Sequence, residues 1–116
     1  MDLLQNVNDL NKMILQGQAL DAFEKYYAED VVMQENDQPQ TVGKNANRQR
    51  EQEFFGAITA FHGAEVKNVA LSENISMVEW FMDYEHKEYG HVKSYQVTVQ
   101  TWKNNQIINE HFYYGS

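Results

Sequence analysis

The side chains of this protein that can do chemistry are few, and their spacing narrows what they can do. The chain has no cysteine, which removes disulfides, thiolate metal sites and a thiol nucleophile together. The four histidines are His62, His86, His91 and His111. No pair has the i, i+4 spacing by which a helix presents two imidazoles to zinc. His86 and His91 flank a Glu-Tyr-Gly turn and are placed to meet across a hairpin. Turn histidines are commoner than ligands, so no metal is expected. No glycine-rich loop opens a helix, so no dinucleotide or phosphate cradle is expected, and there is no nucleophile elbow. Acid–base chemistry remains. Glu35 follows the apolar run Val31-Val32-Met33, and Glu110 lies inside the last apolar segment. A carboxylate enclosed by apolar side chains has its charged form destabilised, and its pKa rises toward working pH. Two carboxylates in one dry site split their pKa values into an acid and a base. The plainer readings are a solvated strand end for Glu35 and local hydrogen bonding for Glu110, to backbone or tyrosine hydroxyls.

These residues are carried on elements that the periodicity predicts. Leu3, Val7, Leu10 and Ile14 form one helical stripe. Asp2 and Gln5 fit a capping box at its start, and Gly17 fits its stop. Leu20, Phe23 and Tyr27 share the face of a second helix, with Asp21 in its first turn. Val31-Val32-Met33 predicts a brief strand, and Asn36-Asp37-Gln38-Pro39 a turn. A third helix is predicted from about Lys44 to Phe61, with Phe54, Ala57, Ile58 and Phe61 as its apolar face. Arg48 and Arg50, the only arginines, fall on different faces of that helix and are expected in solvent. After His62-Gly63 the period becomes alternating. Strands are predicted over 64–71 (weak), 75–86, 92–103 and 107–114, with Asn104-Asn105 as a hairpin turn, because asparagine tolerates positive φ. Helices first and strands afterwards predict an α+β fold with an antiparallel sheet curled around the helices.

Size and charge exclude other classes. The 116 residues fit a single domain, 1–116. Seventeen acidic and nine basic residues leave a formal charge of -8. Such a surface repels phosphate backbones and anionic lipid headgroups, so neither nucleic acid nor membrane is an expected partner. No apolar run approaches the ~20 residues that span a bilayer. Met1-Asp2-Leu3-Leu4-Gln5 lacks a basic n-region, so no signal peptide is expected and a cytoplasmic location is.

The order of elements carries a resemblance. The segment from Ala22 to Met33, AFEKYYAEDVVM, looks like the second helix and first strand of the NTF2-like superfamily, which includes SnoaL-like cyclases and ketosteroid isomerases. Val42-Gly43-Lys44 resembles the superfamily's approach to its third helix. Val97-Thr98-Val99-Gln100-Thr101-Trp102 followed by Asn105-Gln106-Ile107-Ile108-Asn109-Glu110 resembles its last hairpin, with Asn105 where glycine is usual. The resemblance covers nearly the whole chain. It implies a cone-shaped α+β barrel, three N-terminal helices packed in a curved antiparallel sheet, a pocket between them, and a homodimer.

Strand parity then proposes a site. Val78, Trp80, Met82 and Tyr84 share one nearly uncharged face, expected inward. For the strand over 92–103, alternation alone turns Val97 and Val99 inward. The resemblance turns Gln96, Thr98, Gln100 and Trp102 inward instead, leaving Tyr95, Val97 and Val99 as an apolar outer face for a sheet-to-sheet dimer. It also sends Glu110, Phe112 and Tyr114 inward, with His111 outside or at the dimer interface. It aligns Glu35 with the catalytic aspartate of the isomerases. Their oxyanion-holding tyrosine and acid fall near Leu10 and Thr98, so steroid isomerisation by the usual route is not expected.

Two classes of function follow. One is a binder or enzyme for a small apolar or aromatic molecule, using no cofactor. Glu35 and Glu110 are its candidate catalytic residues, and Tyr27, Phe54, Trp80, Tyr84, Thr98, Gln100, Trp102, Phe112 and Tyr114 its candidate ligand-binding residues. Aromatic side chains also build ordinary cores. Inward Gln96, Thr98 and Gln100 need a ligand, water or each other. The other class is a non-catalytic dimer module that binds a protein.

Overall fold

The computed structural model describes residues 2–115. Helix α1 spans Leu3–Leu15 and opens on the expected capping box. Gln5 N–H donates to the Asp2 carboxylate at 2.8 Å, and Asp2 N–H donates to the Gln5 side chain at 3.0 Å. Helix α2, Ala19–Tyr26, follows after Gly17, whose φ of 78° lets the chain reverse. Strand β1, Tyr27–Glu35, leaves α2 without a loop. Tyr27 therefore belongs to a strand and not to the helix face, although its ring still stacks on Phe23 at 4.7 Å. A two-residue strand β2, Thr41–Val42, leads into helix α3, Lys44–Gly56. Strands β3 (Ile58–Ser72), β4 (Ile75–His86), β5 (Gly90–Lys103) and β6 (Gln106–Tyr114) complete the chain.

Three helices against one six-stranded curved sheet make the fold α+β, as expected. Strand order is β2-β1-β6-β5-β4-β3. The sheet is mixed and not wholly antiparallel: β1 pairs with β6 in parallel. The long path through α3 and four strands is the crossover that a parallel pair requires. Asn36 extends this pairing. Its backbone N–H donates to Phe112 O at 2.8 Å, and its side chain exchanges hydrogen bonds with the Tyr114 backbone at 3.1 and 3.0 Å.

Helix α3 stops five residues before the predicted end. Ile58 to Phe61 open β3, whose Ile58 and Phe61 pair with His86 and Tyr84 of β4. Long-range pairing overrides the helical spacing of Phe54, Ala57, Ile58 and Phe61, as it does for short β-branched and aromatic runs. Phe61 ends up 60% exposed. The Asn104-Asn105 hairpin forms as expected, with φ of 54° and 64°.

The core joins Val7 and Leu10 of α1 and Phe23 and Tyr26 of α2 to Val31, Val78, Trp80, Trp102 and Ile107 of the sheet. Asn47 docks α3 on this frame. Its amide donates to the carbonyls of Val31, Thr41 and Gly43 at 3.3, 3.0 and 2.8 Å. Among the described residues no helix is long and apolar enough to cross a membrane.

Candidate functional site

Register sets the interior in rows. Glu110 of β6 faces Gln100 of β5, which faces Ser76 of β4, with Met33 of β1 on the other side of Glu110. The next row holds Glu35, Phe112, Thr98 and Val78, and the one beyond it Tyr114, Gln96 and Trp80. Thr98, Gln100, Trp102 and Glu110 are all buried, so β5 turns its polar face inward. Tyr95 is 58% exposed on the other face.

A continuous polar chain crosses the buried row. Trp102 Nε1 donates to Ser76 Oγ at 2.9 Å, and Ser76 Oγ donates to Gln100 Oε1 at 2.7 Å. Gln100 Nε2 donates to Glu110 Oε2 at 2.6 Å, and Tyr27 OH donates to Glu110 Oε1 at 2.6 Å. Each donor is matched, so this row satisfies itself. Burial pushes the Glu110 carboxyl up to about 7, against the pull of the Tyr27 and Gln100 hydrogen bonds. Burial and the charge of Glu110 in turn hold the Tyr27 hydroxyl well above its ordinary range.

Glu51 joins this cluster from α3. Asn47, Glu51, Phe54 and Phe55 recur on the helix face turned to the sheet. Glu51 is partly buried. Its carboxyl is pushed up to about 8 by burial first, then by the charges of Glu110 and Glu35, with Arg50 opposing. No side-chain hydrogen bond offsets this among the described residues. Sequence reasoning missed Glu51. The signal was there: an acid three residues before Phe54, on the stripe assigned to the core.

Glu35 sits at the open end. Arg50 Nη2 donates to its Oε2 at 3.1 Å and Tyr114 OH to its Oε1 at 3.2 Å, with the side chain 42% exposed. Arg50 thus points to Glu35 and Thr41, not simply to solvent. Arg48 pairs with Glu24 of α2. Burial and the charge of Glu35 push the Tyr114 hydroxyl up to about 12. Beside them Phe54 packs on Tyr84 at 5.7 Å and stacks on His86 at 5.0 Å, and Tyr89 stacks on His86 at 4.6 Å. His86 is buried and faces inward, away from His91, so the expected meeting of these two does not occur. Glu88 N–H donates to its Nδ1 at 3.1 Å, which places a ring hydrogen on Nε2, an atom with no hydrogen-bond partner among the described residues.

The profile of the SnoaL-like domain family matches residues 4–114. The chain belongs to this family. A proposed SnoaL-like polyketide cyclase from Mesorhizobium loti shares 28% identity and a TM-score of 0.88, over 98% of this chain and all of that one. Two more distant structures share the fold. A proposed isomerase from Bacillus subtilis is 15% identical, with a TM-score of 0.81 over 99% of this chain and 90% of that one. A protein of ketosteroid-isomerase-like fold from Catenulispora acidiphila, in complex with trimethylamine, is 11% identical, with a TM-score of 0.73 over 89% and 80%. No curated protein matches.

Within this SnoaL-like cone the expected site residues divide. Glu110, Tyr27, Gln100 and Trp102 lie toward the closed end and are engaged with one another or with Ser76. Trp102 also packs edge-on against Tyr26 at 5.7 Å. Thr98 Oγ1 turns to the Val78 carbonyl at 3.5 Å and Leu10 is core, so neither supplies an oxyanion hole. Glu35, Phe54, Tyr84 and Tyr114 gather at the mouth, with Phe112 in the row of Glu35 and Trp80 in the row of Tyr114. His111 Nε2 lies 2.6 Å from Asn36 O, beside the parallel pair. Two clefts lie elsewhere. One of about 160 Å³ includes Leu3, Asn6 and Trp102. One of about 370 Å³ lies on the outer face between Asn68, Val69, Met77 and Val97. Neither includes Glu35, Glu51 or Glu110.

Proposed function

We propose that this SnoaL-like domain binds a small, largely apolar molecule bearing a carbonyl or similar acceptor, and that the cone's carboxyl groups move a proton on it. The observation that carries this is Glu51: a carboxyl on the helix face turned to the sheet, with no side-chain hydrogen bond among the described residues and close enough to Glu110 and Glu35 to feel both charges. Glu110 is fixed by two donors and carries a negative charge above about 7, the value to which burial pushes it. That charge favours the protonated form of Glu51 near neutral pH, which makes Glu51 a hydrogen-bond donor or general acid. Glu35, held at the mouth by Arg50 and Tyr114, supplies the carboxylate that accepts a proton. Phe54, Tyr84 and Tyr114 give the apolar contacts, and the unpartnered Nε2–H of His86 gives a second donor.

Trp80 is the natural reporter, since it shares a row with Gln96 and Tyr114. Fluorescence titration with small cyclic ketones and phenols should give saturable quenching. Affinity should fall as pH rises through about 8, the value to which Glu51 is pushed. Glu51→Gln should keep the affinity and abolish its pH dependence. Affinity that ignores both pH and Glu51 would remove Glu51 from the site. Turnover of a true substrate left intact by Glu35→Gln would remove Glu35 as the base.

The exposed Tyr95 and Met77 on the outer sheet face support a homodimer through that face as part of the same proposal.

A further inference from the structure

On the face of the sheet opposite the cone interior, three neighbouring strands bring together His62, Asp83, Glu85 and His91. We propose that this cluster is a site for a divalent transition ion of zinc's chemistry, with His62, His91 and Asp83 as ligands. The side-chain donor atoms of these three all lie within 4.8 Å of one another. Their positions follow from the sheet. Asp83 and Glu85 share the outer face of β4, and His91 of β5 lies opposite Glu85. His62 reaches the same face because β3 bulges there. Phe61 pairs with Tyr84 and Gly63 with Asp83, so His62 is the extra residue.

The ligand types suit a borderline-soft ion. Two imidazoles and a carboxylate are a common zinc donor set, with a fourth position left to water or a further oxygen. His91 Nε2 lies 2.7 Å from Asp83 Oδ1, and His62 Nε2 lies 2.8 Å from Glu85 Oε2. The two rings meet edge to face at 5.6 Å. Tetrahedral zinc separates its nitrogen and oxygen ligands by about 3.3 Å. The ion therefore needs these contacts to open by roughly half an ångström on side chains that are largely free to turn. It takes the place of the proton now shared between ring and carboxylate, while each neutral ring carries its hydrogen on Nδ1. Glu85 then either fills the fourth position or accepts the Nδ1 hydrogen of a ligand ring. Charge agrees with this. Asp83 and Glu85 outweigh Lys93, the lysine whose charge acts on Asp83, within a chain of formal charge -8. The side chains of His62, His91 and Asp83 are 44%, 56% and 23% exposed, so an ion has open access.

The test is calorimetric titration of the whole chain with Zn²⁺, with Cu²⁺ as a paramagnetic probe in amide NMR spectra. The expected result is one Zn²⁺ per chain. His62→Ala and His91→Ala should each weaken it by at least ~10-fold, and His111→Ala should leave it unchanged. Cu²⁺ should broaden amides most strongly around 61–63, 82–84 and 90–92. Absence of saturable binding overturns the proposal, as does binding indifferent to His62 and His91, or broadening centred on His86 or His111. Circular dichroism identifies a variant that has lost its fold. Asp83→Asn, which keeps the side chain's size, then serves in its place, and binding at wild-type strength in that variant overturns the proposal too.

Discussion

Replacing Glu110 by glutamine should weaken the way this protein's stability falls as pH rises. Glu110 is 2% exposed, and burial pushes its carboxyl from an ordinary 4.5 to about 7. An acid whose pKa is raised on folding holds its proton more tightly in the folded state. Between about 4.5 and 7 the folded chain binds more protons than the unfolded one, so stability falls as pH rises. The difference integrates to about 3 kcal/mol, lost in that window and level above it. The carboxyls of Asp9, Glu24 and Asp83, held low by Lys25, Arg48 and His91, work the other way. Their stabilisation is complete above the ordinary range of Asp and Glu and is lost as pH falls through their lowered values, at the acid edge of the Glu110 window.

Glutamine keeps the shape and removes the titration. The new amide can accept from Tyr27 and donate to Gln100, provided the Gln100 amide turns over and donates to Ser76. Ser76 Oγ then accepts from both Gln100 and Trp102, and one hydroxyl hydrogen is orphaned at a cost of about 1 kcal/mol. Urea unfolding at pH 5, 6, 7 and 8, followed by the buried Trp80 and Trp102, reads the result. From pH 5 to 8 the wild type should lose about 3 kcal/mol more than Glu110→Gln, while Glu51, pushed up to about 8, adds a fall of the same sign in both proteins. Glu110→Gln should be the more stable protein at pH 8 by about 2 kcal/mol. A wild-type stability that is flat or rising over this range, matched in parallel by the variant, refutes the reasoning. Glu110 would then carry its charge at no cost.

Three further perturbations test neighbouring parts. Ser76→Ala removes a fully buried hydroxyl that serves both Gln100 and Trp102, and should cost about 2–4 kcal/mol in urea unfolding. Asn47→Ala withdraws three hydrogen bonds that dock α3. It should cost about 2–3 kcal/mol and raise amide exchange across 44–56 before the rest of the chain. Val97→Asp places a charge in the outer-face cleft and should abolish the proposed outer-face dimer in sedimentation, with the interior titrations of Glu51 and Glu110 unchanged.

The sequence declares its local devices well and its long-range ones poorly. The Asp2–Gln5 capping box and the Asn104-Asn105 turn form as read, because each depends only on neighbours. The end of α3 does not. Ile58 to Phe61 fit a helical stripe, and only their partners in β4, more than twenty residues away, make them a strand. The inward parity of β5 was legible through family resemblance alone, since alternation by itself turns its valines in. The need of the Gln100 row for partners was legible too. Its answer, Ser76 on one side and Glu110 on the other, required the register. Glu51 was hidden by the assumption that an acid on a helix faces water. The His62–His91 pair was hidden by a bulge that no spacing rule reports.

The arrangement of the three carboxyls explains why the inner one matters although its hydrogen bonds are all internal. A buried acid with both oxygens satisfied cannot reach a ligand, and taken alone Glu110 is structural. Its charge still acts across the cone. In the proposed chemistry Glu51, raised by burial, by Glu110 and by Glu35, gives the proton, and Glu35, drawn outward by Arg50 and Tyr114, accepts one. Separating donor from acceptor in this way needs a fixed negative group behind the donor, and Tyr27 and Gln100 fix it. Glu110→Gln should therefore lower the Glu51 pKa from about 8 toward the ordinary carboxylate range, as read by ¹³C NMR of its carboxyl, with the Arg50–Glu35 pair undisturbed. A Glu51 titration unmoved by that change would mean that burial alone sets it, and Glu110 would then have no part in the chemistry of the cone.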